Sequence, residues 1–157
     1  MLRDLMVHDY LAVDATFAAA SKMITGAGVV KDFVAKTADF PETETAANIM
    51  FVQKPRNPKG INASRTNFSD YDPDFVNVEE GELVVLYHYP ADSTFATSEY
   101  DVATLTEENK GKRVAWGADG KATLATSAES VYVFNGIFND NGHLLAEIYV
   151  TDTPASN

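Results

Sequence analysis

Asn139-Asp140-Asn141-Gly142 stands between two alternating apolar runs, 131–138 and 143–151. Asn-Gly in that setting predicts a two-residue hairpin of type I′, because both central residues of that turn need positive φ and Asn and Gly tolerate it. The turn also fixes register, since a slip of one residue would rotate the whole apolar set toward solvent. In the second run Leu144, Ala146, Ile148 and Val150 are expected on one face. Leu145, Glu147, Tyr149 and Thr151 are expected on the other. Upstream, 112–116 and 122–125 flank the turn Gly117-Ala118-Asp119-Gly120, so the last third reads as a β-meander.

Strand signals also occur at 29–34, 49–52, 75–78, 82–89 and 94–100, separated by loops at 38–48 and 104–111. The run 82–89 is apolar on both faces, which suits a central strand. From 53 to 73 the chain changes character. Pro55, Pro58, Gly60 and Pro73, with Asn57, Asn62, Asn67 and Ser69, are turn formers. A long irregular loop is expected there, with Ile61, Phe68, Tyr71 and Phe75 packing it down. Residues 1–27 are read as an N-terminal arm or short helix, since 10–23 are Ala-rich and Asp14 can cap a helix. The expected fold is mainly β: a small antiparallel β-barrel or sandwich over 28–152, the irregular loop at 53–73 within it, and a polar tail at 153–157.

The 157 residues suit one domain with a core, given 45% hydrophobic composition. The net charge of −11 argues against nucleic acid as a partner, because phosphate recognition needs a basic surface. No apolar run approaches the ~20 residues of a membrane-spanning helix. There is no cysteine, so disulfides and thiolate metal sites are excluded. Acids interrupt residues 1–10 where a signal peptide would be apolar, so synthesis in a reducing cytoplasm is expected. The charge is segregated. Lys54, Arg56, Lys59 and Arg65 lie close together, whereas 66–109 hold no Lys or Arg and eleven acids. Such a pairing of basic and acidic segments suits complementarity between copies or with a partner.

Reactive constellations are sparse. Asp70, Asp72 and Asp74 alternate as hard oxygen ligands for Ca²⁺ would, but Phe75 replaces the loop glycine and Gly81 the closing Glu of an EF-hand. They are a weak metal candidate, and no cofactor is expected. His8, His88 and His143 are scattered, no Ser lies in Gly-x-Ser-x-Gly, and Gly26-Ala-Gly28 lacks the third glycine of a dinucleotide loop. Trp116, the single tryptophan, is expected in the core or an interface, with a sugar-stacking platform as the other use of such a ring. A non-enzymatic binding or structural role is the expectation.

The stretch 48–74, Asn-Ile-Met-Phe-Val-Gln-Lys-Pro-Arg-Asn-Pro-Lys-Gly-Ile-Asn-Ala-Ser-Arg-Thr-Asn-Phe-Ser-Asp-Tyr-Asp-Pro-Asp, resembles small virion proteins of tailed bacteriophages. So does the order Gly-Lys-Arg-Val-Ala-Trp-Gly-Ala-Asp-Gly-Lys, Tyr-Val-Phe-Asn-Gly-Ile-Phe and Ala-Glu-Ile-Tyr-Val in 111–150. Such proteins are known as head decoration, cement or head-fibre proteins, and the resemblance covers roughly 28–152. It implies a rigid β body on the capsid exterior that binds the major capsid protein and itself, often as a homotrimer. It carries no catalytic residue. Lys54, Arg56, Lys59, Arg65, Phe68 and Tyr71 are the expected partner contacts. The competing expectation is a carbohydrate-binding or adhesion module, with Trp116 and exposed tyrosines as platform and the three aspartates as a calcium site.

Overall fold

The computed structural model describes residues 1–54 and 69–157. Its strands are β1 (Leu2–Met6), β2 (Ala12–Ala19), β3 (Met23–Ile24), β4 (Gly28–Asp32), β5 (Thr37–Asp39) and β6 (Met50–Gln53). After the short helix α1 (Pro73–Val76) come β7 (Asn77–Val78), β8 (Leu83–His88), β9 (Thr94–Thr97), β10 (Val114–Trp116), β11 (Ala122–Leu124), β12 (Ser130–Asp140) and β13 (His143–Ala155). The fold is mainly β. Strands β2, β5, β4, β6 and β8 close a barrel, and β1, β9, β13 and β12 form a four-stranded sheet beside it. Among the described residues the pairings between these strands are antiparallel except β2 with β5, which closes the barrel in parallel.

Strand β6 is the wall between the two halves. Its Met50 and Val52 point into the barrel with Phe17, Met23, Val29, Val84 and Leu86. Between them Phe51 points out, into a core shared with Phe95 of β9, Trp116 of β10, Tyr132 and Phe134 of β12, and Ile148 of β13. A strand with a core on each face must be apolar throughout, which is why 49–52 reads as an unbroken hydrophobic run. The far face of the four-stranded sheet carries a smaller cluster, Met1, Ala96 and Leu145, covered by Leu5, Tyr71, Val76 and Phe138.

The expected hairpin is present. Asp140 pairs with His143, Asn141 has φ 53° and Gly142 φ 93°. The Gly142 N–H also donates to Asn139 Oδ1 at 2.7 Å. Gly142→Val is expected to lower stability by about 1 kcal/mol or more, because a β-branched residue resists that φ; an unchanged melting temperature would overturn this. Along β13, Ala146, Ile148 and Val150 share one face as expected, and that face is buried. Leu144 is not, since its face runs out of core near the turn, and Leu145 is buried on the opposite face against Met1 and Ala96.

Several expectations need correction. The N-terminal segment is neither arm nor helix: β1 pairs with β9 and β2 with β8. The Ala-rich composition is overridden by pairing on both edges of β2. Asp14 is no helix cap. Its Oδ1 accepts from the Thr16 N–H at a bulge, and its Oδ2 accepts from Lys31 Nζ at 2.7 Å. Residues 75–78 are not one strand. Pro73 opens α1 with Asp74 in the first turn, where its fixed φ and the acid suit a helix start. The strand begun at Gly28 stops at Asp32, short of Val34. The tail is not free either: β13 runs to Ala155, and the Asn157 amide bridges the carbonyls of Arg113 and Ala125.

The 38–48 loop expected from the sequence begins later, because Ala38 and Asp39 lie in β5, and Glu44 ties the connection 40–49 to the turn after β11. Its carboxylate accepts from the N–H groups of Thr126, Ser127 and Ala128 at 2.7, 3.0 and 3.1 Å and from the Thr126 hydroxyl. Burial pushes this carboxyl up, but the hydrogen bonds from Thr126, Ser127 and Ala128 outweigh it and hold the group at about 2. A depressed carboxyl contributes stability that is full above the unfolded value of about 4.3 and is lost as pH falls toward the folded value. Glu44→Gln is therefore expected to cost about 1–2 kcal/mol near pH 7, the worth of bonds to a charged group at a half-exposed site. In urea titrations the two proteins should converge in stability near pH 2; an equal gap at both pH values would sink the assignment.

Candidate binding surface

The residues flanking 55–68 are engaged within the fold on both sides. At one end the Lys54 N–H donates to Thr25 Oγ1 at 3.2 Å. Its Nζ donates to the Asn77 carbonyl at 2.5 Å and lies 3.5 Å from Glu82 Oε1. Only 12% of the Lys54 side chain is exposed, so this charge is spent inside the fold, on the start of β7 and the approach to β8.

At the other end three elements converge. The Tyr71 hydroxyl donates to Asp140 Oδ2 at 2.8 Å, and its ring stacks on His143 with centroids 3.6 Å apart and planes 12° apart. From β1, Arg3 Nε donates to the same Asp140 oxygen at 2.7 Å, and Arg3 Nη1 donates to Asp70 Oδ2 at 2.9 Å. The Arg3 and Tyr71 bonds hold the Asp140 carboxyl below its ordinary value. Burial and the bond to Asp140 push the Tyr71 hydroxyl up to about 12, so Tyr71 remains a donor. A charge-assisted donor and a neutral one on a single oxygen fix the hairpin tip against β1 and the 69–76 segment. Between the two anchors a cleft is lined by Met1, Arg3, Thr25, Gln53, Asp70 and Tyr87.

Two of the expected partner contacts, Lys54 and Tyr71, are thus engaged within the chain. Arg56, Lys59, Arg65 and Phe68 lie outside the described residues, as does Ile61. The acidic triplet does not assemble. Asp70 is turned to Arg3, Asp72 Oδ2 accepts from the Ser69 N–H at 3.3 Å, and Asp74 sits in the first turn of α1. Among the described residues no group of three or more His, Asp or Glu side chains is placed to hold a metal ion, which corrects the calcium candidate.

The histidines are not brought together as a reactive set. His8 lies 3.6 Å from Asp9, His143 is under Tyr71, and His88 ends β8. Partial burial and the charge of Lys31 keep His88 below the ordinary histidine value. Trp116 is fully buried and edge-on to Phe51 and Tyr132, so it is a core residue and offers no face to a sugar.

Sequence reasoning missed a surface feature on the barrel. Val34 is 96% exposed and Phe33 69%, both at the tip between β4 and β5. Asp32 Oδ1 accepts from the N–H groups of Val34 and Ala35 at 2.7 and 3.0 Å, which makes the tip a fixed turn. Phe33 meets Phe17 edge-on at 5.6 Å, and Lys36 Nζ sits over both rings. Asp32 followed by four residues before Thr37 was the available signal, since aspartate readily caps a turn this way. No protein family, no curated protein and no solved structure matches this chain.

Proposed function

We propose that the chain is a virion structural protein that decorates and stabilises the outside of a bacteriophage capsid by binding the major capsid protein lattice, as a homotrimer. The observation that carries this reading is the anchorage of the residues on either side of 55–68. Lys54 is tied to Asn77 and Glu82 at one end, and Tyr71 to Asp140 and His143 at the other. In sequence Arg56, Lys59 and Arg65 fall between these two anchors, in a chain that is otherwise strongly acidic. Fixing the ends of a recognition segment lowers the ordering cost of association, and opposite charges set orientation between neighbours.

The test is co-sedimentation with emptied capsids, together with the native mass of the free protein. Binding and a trimer mass are expected; a monomer that stays in the supernatant overturns the proposal. Charge reversal at Arg56 and Arg65 together is expected to reduce capsid occupancy, more at low salt than at high, because exposed ion pairs are screened. Unchanged occupancy would remove this segment from the interface.

A further inference from the structure

We infer that Asn141 is a site of spontaneous deamidation and that Asn139 restrains it. The chain has two Asn-Gly pairs, Asn135-Gly136 and Asn141-Gly142, at two places along β12 and its turn. Glycine imposes least steric hindrance on its own nitrogen, so the two pairs have the same local reactivity in an unfolded chain. In the reaction the Gly142 nitrogen gives its proton to solvent base and attacks Asn141 Cγ. A new C–N bond closes a five-membered imide while the Cγ–Nδ2 bond breaks, and Nδ2 leaves as ammonia. Water then opens the imide at either carbonyl, giving aspartate or isoaspartate. One water enters, one ammonia leaves and nothing is oxidised.

The fold separates the two pairs. Gly136 is buried at a bulge and aligned with Glu147 of β13, and Asn135 Nδ2 donates to Glu147 Oε1 at 2.6 Å. Ring closure there has to displace a strand already paired along β13. Asn141 and Gly142 are exposed at the turn, outside the ladder, and a glycine there permits the backbone rotation that closure needs. What holds this site is a hydrogen bond: the attacking nitrogen, Gly142 N, donates its proton to Asn139 Oδ1 at 2.7 Å. A proton shared in this way is harder to remove, and the turn is harder to open. Asn139 is a positioning residue for Gly142.

The consequence is local and electrostatic. Asp140, one residue away, carries the bonds from Arg3 and Tyr71. A new carboxylate at 141 competes for Arg3, and an isoaspartate lengthens the main chain across the turn. Either change loosens the fastening of segment 69–76.

The experiment incubates the folded protein in mildly alkaline buffer, cleaves it after Phe138 to separate the two pairs, and follows the deamidation mass gain and isoaspartate content of each peptide. Asn141 should convert well before Asn135 in the native protein, and the two should converge in denaturant. Asn139→Ala should speed conversion at Asn141 by roughly fivefold, the factor that one ordinary hydrogen bond is worth. Asn139→Asp keeps an acceptor and should remain slow. Conversion of Asn135 as fast as Asn141 in the folded protein overturns the inference. So does an Asn139→Ala rate equal to wild type, read alongside a circular dichroism spectrum that shows the variant folded.

Discussion

Phe51→Ala is expected to remove about 4 kcal/mol of stability, a large share of the 5–15 kcal/mol typical of a domain. Phe51 is fully buried and is the hub of the aromatic core. Its ring lies 4.5 Å from Phe95, 5.2 Å from Trp116, 5.6 Å from Tyr89 and 5.8 Å from Tyr132, centroid to centroid. The surrounding rings come from four different segments, and none can collapse into the gap without leaving its own partners. The cavity term is therefore expected near its upper range. Phe51→Leu fills much of the space and should cost roughly half as much or less. Urea unfolding measures both. A loss under about 1 kcal/mol for the alanine variant would mean that the rings relax freely, contrary to a packed core.

Gly28→Ala is expected to cost about 3 kcal/mol although it adds a single methyl group. An ideal Cβ at Gly28 would lie 2.3 Å from Trp116 Cδ1 and 2.6 Å from Trp116 Cγ, far inside contact distance. The indole cannot retreat, because Tyr132 stands 4.8 Å from its centroid and Phe51 5.2 Å. The glycine cannot retreat either. Its N–H donates to the Gly120 carbonyl at 2.8 Å, and it pairs with Phe51 across β4 and β6. The clash predicts a specific coupling. Trp116→Leu alone should destabilise by opening a cavity, but in the Gly28→Ala background part of that loss should return. Additive losses, measured by thermal unfolding of all four proteins, would show that the methyl group is accommodated elsewhere.

Local pattern carried the second half of the chain well. Asn141-Gly142 named the turn, and period-two alternation sorted β13 into its two faces, because both signals act between neighbours in sequence. The first half was less legible. Residues 12–19 have the composition of a helix, and they become a strand through antiparallel pairing with β8, far along the chain, and parallel pairing with β5. Leu144 and Leu145 keep their alternation, but it does not say which is buried: a face is buried only where another element covers it, and Met1 and Ala96 cover Leu145. The anchoring cluster was half visible. Tyr71 was picked out for its place in an irregular loop, but Arg3, Asp140 and His143 are separated from it by 67 residues or more, and nothing local marks them as partners. Trp116 was legible as core from its place on a meander strand, whereas its fit against Gly28 depends on a contact between distant segments.

The pairing of β1 carries a consequence in time. Residues 2–6 hydrogen-bond to β9, and β9 in turn lies against residues 146–149 of β13. During synthesis residues 2–6 have no partner until β9 has left the ribosome, and β9 gains its other neighbour only with β13. The apolar members of β1, Leu2 and Leu5, must wait while the barrel strands become available. Non-local pairing of this kind is slow, and a waiting strand edge invites pairing with another chain. A protein made in many copies at once would meet that hazard in proportion to its own abundance, so the order of its strands ties yield to the rate of synthesis.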